Sequence, residues 1–176
     1  MADIILLNKP FGFLSQFSGE PSDKTLAQLI QNQPGFYPAG RLDKKSEGLL
    51  LLTNDGRLQN QLSHPKFGKF KRYWVQVEGE ISSEQLDPLI HGLAPFLPAQ
   101  CQPISPPPLW PRNPPIRERK TIPTSWIDIR IQEGKNHQIR HMTAAIGFPT
   151  LRLVRYQIGD YKLGTLQPGE WRKISD

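Results

Sequence analysis

Leu49, Leu50, Leu51 and Leu52 follow one another without a polar interruption, and this run constrains the fold more than any other stretch. A strand with one face in water alternates apolar and polar residues, whereas consecutive leucines leave no face for water. The run therefore predicts a strand buried on both faces. Gly40-Arg41-Leu42-Asp43-Lys44-Lys45-Ser46-Glu47-Gly48 leads into it, and after Thr53 the triplet Asn54-Asp55-Gly56 turns the chain. One acid, Asp43, thus stands on a polar connection at the mouth of a buried strand, beside Arg41, Lys44 and Lys45. A carboxylate fixed among cations suits work on an anionic ligand. The same spacing also describes an ordinary surface loop ahead of a core strand, because short motifs often match by chance.

The rest of the chain supplies both kinds of element. Ile4 to Leu7 read as a strand halted by Asn8-Lys9-Pro10-Phe11-Gly12. Leu26, Leu29 and Ile30 have helical spacing, with Ser22 or Asp23 as the cap. Lys71 to Glu78 alternate, with Tyr73, Val75 and Val77 on one face and Arg72, Trp74, Gln76 and Glu78 on the other. Ser82 or Ser83 opens a helix carrying Leu86, Leu89 and Ile90, which Pro88 shortens or kinks and Gly92 ends. Trp126 to Gln132 alternate again, with Ile127, Ile129 and Ile131 on the apolar face. His137 to Ile146 place Ile139, Met142 and Ile146 on one helical stripe, closed by Gly147 and Pro149. Alternating strands among scattered helices, without an internal repeat, read as α+β rather than a regular βαβ series.

Between 94 and 123 the composition changes. Pro103, Pro106, Pro107, Pro108, Pro111, Pro114, Pro115 and Pro123 rule out a regular helix or a central strand there. A disordered linker is one reading. Against it, Trp110, Ile116 and Trp126 are costly to leave in water. Arg112, Arg117, Arg119 and Lys120 add the aromatic-plus-basic character of RNA-contacting surfaces. An ordered or RNA-ordered loop is the expectation.

A chain of 176 residues fits one domain, with one or two lobes, and buries a core without staples. Its net charge of +6 suits nucleic acid or an anionic membrane surface, though a merely basic soluble protein carries as much. No apolar stretch reaches the ~20 residues needed to span a bilayer. The opening Met1-Ala2-Asp3-Ile4-Ile5-Leu6-Leu7 lacks the positive region and the length of a signal peptide. Cys101 is the only cysteine, which excludes an internal disulfide and makes a reducing, cytoplasmic setting the default.

Chemical candidates are few. His137 and His141 stand four apart on the expected helix, a spacing that can hold zinc, but Gln138, Ile139 and Arg140 between them offer no base and one opposing cation. Two polar-face histidines are the plainer reading, and no metal is expected. Neither a dinucleotide fingerprint nor a Walker lysine motif occurs. No serine sits in a nucleophile elbow, and Cys101 has no helix N-terminus to activate it. There remain Asp43 as nucleophile or general base, Tyr73 as stacking platform or proton acceptor, and Arg140 as the counter-ion that keeps Asp43 ionised. Tyr73 also reads as core and Arg140 as a solvated helix face. An Asp-dependent hydrolase would need a second carboxylate, for which Glu47 and Asp55 are the nearest choices.

Taken in order, these residues resemble a known family. Gly40-Arg41-Leu42-Asp43-x-x-Ser46-x-Gly48-Leu49-Leu50-Leu51-Leu52-Thr53 is similar to the catalytic motif of RNA pseudouridine synthases, in the branch named for its small-subunit ribosomal member. Leu7-Asn8-Lys9-Pro10-x-Gly12 resembles the first motif of that branch, and Lys71-x-Tyr73-x-Val75 its tyrosine strand. Glu133-Gly134-Lys135-Asn136-x-Gln138-Ile139-Arg140-x-Met142 resembles its arginine helix. Leu151-x-Leu153-x-Arg155, Ile158-Gly159 and Leu163-Gly164 through Trp171-Arg172 complete the series. The Pro-rich stretch from Leu109 to Trp126 resembles the insertion of one subtype of the branch, the E type, which acts on the large ribosomal subunit. That subtype likewise starts near its first motif, without the small N-terminal S4 RNA-binding domain. His137 and His141 stand where arginines are usual on that helix, so RNA contact there is expected to be weaker or pH-dependent.

The resemblance implies a pseudouridine synthase catalytic domain over residues 1–176, with an insertion loop at 94–123. It also implies a mixed, mostly antiparallel sheet flanked by helices, with the catalytic cleft across the sheet. It implies isomerisation of one uridine in 23S ribosomal RNA near the peptidyl-transferase region, by a monomer, without cofactor, metal or membrane. Naked rRNA or a large-subunit precursor would be the partner. Asp43 matches the essential aspartate, Arg140 the arginine that pairs with it, and Tyr73 the residue that stacks on the base and accepts its C5 proton. Leu153 closes the other side of the base, and Arg41, Lys44, Lys9 and Asn136 bind substrate. A chain that kept these motifs without catalysis would be an RNA-binding ribosome assembly factor, which the intact set of Asp43, Tyr73 and Arg140 argues against.

Overall fold

The computed structural model describes residues 2–117 and 119–175, so that Met1, Glu118 and Asp176 lie outside the described residues. The elements begin with β1 (Asp3–Lys9), β2 (Tyr37–Pro38), β3 (Glu47–Thr53), α1 (Gly56–Ser63), β4 (Lys71–Glu78) and α2 (Asp87–His91). There follow β5 (Gln100–Ile104), β6 (Thr124–Ile131), α3 (Gln138–Ala145), β7 (Thr150–Ile158), β8 (Tyr161–Lys162) and β9 (Trp171–Ser175). One nine-stranded sheet runs β5-β6-β4-β7-β3-β1-β9, with β2 added on β3 and β8 on β7. Among the described strands every pairing is antiparallel except that of β3 with β7. This is the expected α+β architecture with a mixed, mostly antiparallel sheet.

The leucine run forms the strand it predicts. Leu49 to Leu52 are each 0% exposed. Leu49 and Leu51 pack with Ile4, Leu6, Leu58 and Leu62, while Leu50 and Leu52 pack with Ile5, Leu7, Leu26 and Phe36. Each leucine buried in this way is stabilised by about 1.5–3 kcal/mol over an exposed one. A third cluster gathers Val75, Val77, Ile127, Ile129, Leu86, Leu89 and Met142, so both alternating strands bury the face their pattern assigned.

Elsewhere local chemistry redirects the expected elements. The turn at Asn54-Asp55-Gly56 also starts α1, because the Asp55 side chain accepts from the backbone N–H of Arg57 and Leu58. That helix buries only Leu58 and Leu62, a stripe too sparse to show as a period. The helix expected at Leu26 to Ile30 is a single 3-10 turn, Leu26–Gln28, capped by Thr25 rather than Ser22 or Asp23. Asn32, with φ of 59°, and Pro34 stop it. Pro88 falls in the first turn of α2, where a proline's missing N–H costs nothing, so it opens that helix rather than kinking it.

The Pro-rich stretch is not loop throughout. It contains β5, an edge strand paired with β6 from Gln100↔Arg130 to Ile104↔Trp126, and Pro103 is tolerated because it stands at the sheet edge. Beyond it the segment is pinned. Trp110 Nε1 donates to Glu47 Oε1 at 2.9 Å. Arg152 grips the same carboxylate through Nε and Nη2 at 2.8 and 2.9 Å and donates to the Trp110 carbonyl at 2.8 Å. Arg112 lies 4.1 Å over the Phe11 ring and donates to the carbonyls of Pro114, Pro115 and Leu151. Arg119 pairs with Glu78 at 3.7 Å. Arg112, expected to face RNA, therefore spends its donors on backbone carbonyls, two of them in its own loop.

The strands β3 and β7 meet through two residue pairs, Glu47↔Val154 and Gly48↔Arg155. A Cβ on Gly48 would lie 2.1 Å from the Arg155 carbonyl oxygen, and its φ of +107° is open to glycine. This seam carries the loop bearing Asp43 on one side and the strands bearing Tyr73 and Leu153 on the other.

Candidate active site

The Asp43 loop is fixed residue by residue. Ser15 Oγ donates to the Leu42 carbonyl and accepts from the Leu42 N–H. Ser46 N–H donates to the Asp43 carbonyl at 2.9 Å. The Lys44 carbonyl accepts from Gly12 N–H at 2.7 Å and from Lys9 Nζ at 3.5 Å. Arg140 Nη2 reaches from α3 to the Lys45 carbonyl at 2.9 Å. With both flanks tied, the Asp43 side chain has little freedom beyond its own rotamers.

That side chain borders a cavity of about 380 Å³, a size typical of ligand sites (roughly 300–1,000 Å³). Tyr73 of β4, Leu153 of β7 and Ile139 of α3 form its apolar wall. Tyr73 is 7% exposed and Leu153 5%, so each belongs to the core and to the cavity at once. Their strands are neighbours, and a register shift between Arg72 and Tyr73 sets Tyr73 beside Arg155. Among the described residues Asp43 is the one carboxylate on this lining, against Arg41, Lys69, Lys71, Lys135 and Arg155.

The structure thus brings together Asp43, Tyr73, Leu153, Arg41 and Asn136. Arg140, Lys44 and Lys9 do not line the cavity. Lys9 is wholly buried, with Nζ on the carbonyls of Pro10 and Phe13 at 2.9 and 2.8 Å, and so has no free path to substrate. The side-chain contact of Asp43 is made by His137, Nδ1 to Oδ2 at 3.2 Å, rather than by the expected Arg140. Arg140 still feels the acid: burial lowers its pKa and the Asp43 charge raises it. Glu47, bound to Arg152 and Trp110, and Asp55, capping α1, are both engaged elsewhere, which removes the second carboxylate a hydrolase would need. Burial and then Asp87 push the Cys101 thiol up to about 11, far from a nucleophile's range.

Several cavity residues are not evident from sequence. Arg155 reads there as a motif position only, yet its Nε donates to the Leu49 carbonyl at 2.9 Å and its Nη1 to the Arg41 carbonyl at 3.3 Å. It fastens the seam to the Asp43 loop. Lys71, which reads as the first residue of a strand, faces the same cavity, and burial followed by repulsion from Arg155 lowers its pKa to about 8. Two neighbouring cations without an acid between them suit a negatively charged ligand. The signal for Lys71 is its place two residues before Tyr73, on the same strand face.

Comparisons with known proteins converge. The profile of a family described as RNA pseudouridylate synthase matches residues 3–145. The chain is 54% identical over 176 residues to the Ribosomal large subunit pseudouridine synthase E of Vibrio vulnificus, covering 98% of this chain and 75% of that one. It is 51% identical to the protein of the same name from Xanthomonas campestris pv. campestris, covering 96% and 94%. Among solved structures, a crystal structure of pseudouridylate synthase matches with a TM-score of 0.79 at 26% identity, over 99% of this chain and 71% of that one.

Proposed function

Because this chain belongs to the RNA pseudouridylate synthase family, we propose that it isomerises one uridine of large-subunit ribosomal RNA to pseudouridine, with Asp43 as the acting carboxylate. The observation that carries this reading is the meeting of Asp43, Tyr73 and Leu153, from three separate elements, around one cation-lined cavity. The identity to relatives named for the large subunit supports the ribosomal target, and the resemblance of the Pro-rich segment to the E-type insertion favours a uridine of 23S RNA near the peptidyl-transferase region.

The reaction breaks the N1–C1′ bond of uridine, turns the base and forms a C5–C1′ bond, while C5 loses its proton and N1 gains one, so that the product is an isomer. Uracil must first leave its stack, at a cost of a few kcal/mol, and the slot between Tyr73 and Leu153 receives it. Asp43 either attacks C1′ or removes the C2′ proton, and both routes require the carboxylate held against the ribose. Fixed charge in a pocket closed to water is worth far more than the same charge in solution. Once the base has turned, the Tyr73 hydroxyl takes the C5 proton and passes its own to solvent, which supplies the proton that N1 gains. Arg140 steadies the loop through the Lys45 carbonyl and Arg155 holds the seam, while Arg41, Lys71 and Asn136 meet the RNA backbone. No step calls for a cofactor. No helix among the described residues is long and apolar enough to cross a membrane, and cytoplasmic ribosomal RNA is the partner proposed.

Asp43→Asn keeps the shape of the side chain and removes its nucleophilic and basic character. Incubated with a 23S transcript, this variant is expected to form no pseudouridine while binding the RNA almost as wild type does. Residual turnover at roughly a tenth of wild type would sink the catalytic assignment.

A further inference from the structure

His137 stands at the N-cap of α3 with a left-handed backbone, φ +51°, a conformation uncommon outside glycine and asparagine. From there its Nδ1 lies 3.2 Å from Asp43 Oδ2. We propose that His137 is a positioning residue for Asp43, its Nδ1–H holding Oδ2 so that the carboxylate keeps one orientation toward the reacting ribose. The inference rests on the reading of Asp43 as the acting group.

The neighbours leave this task to His137. Arg140 is engaged with the Lys45 carbonyl and Lys135 with the Pro95 carbonyl, each at 2.9 or 2.8 Å. His141, one turn along, meets His137 ring edge to face with centroids 6.5 Å apart, which limits the swing of the His137 ring. Arg140 therefore fixes the backbone of the loop and His137 fixes its side chain. The His137 and Asp43 side chains are 47% and 36% exposed. A polar contact so open to water contributes little to stability, so what it sets is orientation. Its loss should appear in the chemical step and leave folding and RNA affinity almost untouched.

Substitution separates a donor from mere bulk. In single-turnover assays on a 23S transcript, His137→Ala is expected to lower the rate constant about tenfold or more, with RNA affinity and melting temperature near wild type. His137→Asn should restore most of the rate. Its amide nitrogen occupies the place of Nδ1, and asparagine tolerates the left-handed backbone. His137→Gln, whose amide reaches one bond further, should restore less. Independently of activity, ring ¹⁵N shifts in alkaline buffer should show the neutral imidazole protonated at Nδ1, a preference lost in Asp43→Ala. A wild-type rate in His137→Ala, or a neutral ring protonated at Nε2, would overturn the proposal. An active Asp43→Asn would instead overturn the reading of Asp43, and the ring spectrum would still report whether the contact exists.

Discussion

At the scale of single residues, Lys9 shows how burial reassigns a side chain. Its motif suggests contact with substrate, yet Nζ is spent on three carbonyls, and one of them, Lys44, adjoins Asp43. Burial lowers its pKa from 10.5 to about 7, against which Glu47 and Asp43 pull upward and Arg155 downward. Between those two values the unfolded chain carries a proton on Lys9 that the folded chain has released, so stability rises with pH across that window. The contribution is complete above 10.5 and is lost as pH falls through about 7. Lys71 works in the same direction from about 8, so the wild type must be compared with Lys9→Met to isolate Lys9. The difference in unfolding free energy between the two proteins is expected to shift in favour of wild type from pH 7.5 to 9.5, roughly within the span of the two pKa values. A constant difference, read from denaturant curves, would count against a neutral Lys9. No sequence pattern distinguishes a lysine aimed at solvent from one aimed at carbonyls; only the closed packing of β1 decides it.

At the scale of elements, periodicity reveals what is regular and misses what is special. The alternation at Lys71 to Glu78 and the leucine run set β4 and β3 correctly, because solvent and core impose those patterns directly. The strand β7 is not legible in this way, although it sits at the centre of the sheet. Arg152 and Arg155 interrupt its apolar pattern, and both are buried, at 8% and 4% exposure, through partners far away in sequence. Gly48, by contrast, is visible as a residue but not as a requirement. Gly48→Ala would force a Cβ to 2.1 Å from the Arg155 carbonyl and an unfavourable φ, costing at least about 3 kcal/mol from strain and overpacking together. Urea titration of that variant checks the value, and a loss below about 1 kcal/mol would mean the seam relaxes freely.

At the scale of the whole molecule, the positive charge foretells an anionic partner but not where it sits. Of the Pro-rich cationic cluster, Arg112 spends its donors on backbone carbonyls while Arg117, Arg119 and Lys120 stay exposed, and the cavity collects further cations from loops and strands distant in sequence. The N-terminal end of α3 lines that cavity through His137, Gln138 and Ile139, and His141 is exposed one turn along. His141→Arg adds one permanent charge there, and the slope of log affinity for RNA against log salt should steepen by about 0.7–0.9. An unchanged slope would set that face of α3 away from the RNA. The same global view gives Gly48 a second significance. Sliding β3 by one residue along β7 would carry Asp43 about 3.3 Å from its place opposite Tyr73 and Leu153. It would also push Glu47 or Leu49, each with a side chain, against the carbonyl that tolerates none. The glycine is therefore a proofreader of alignment: a chain folded one step out of register collides with itself before it can offer RNA a misplaced acid.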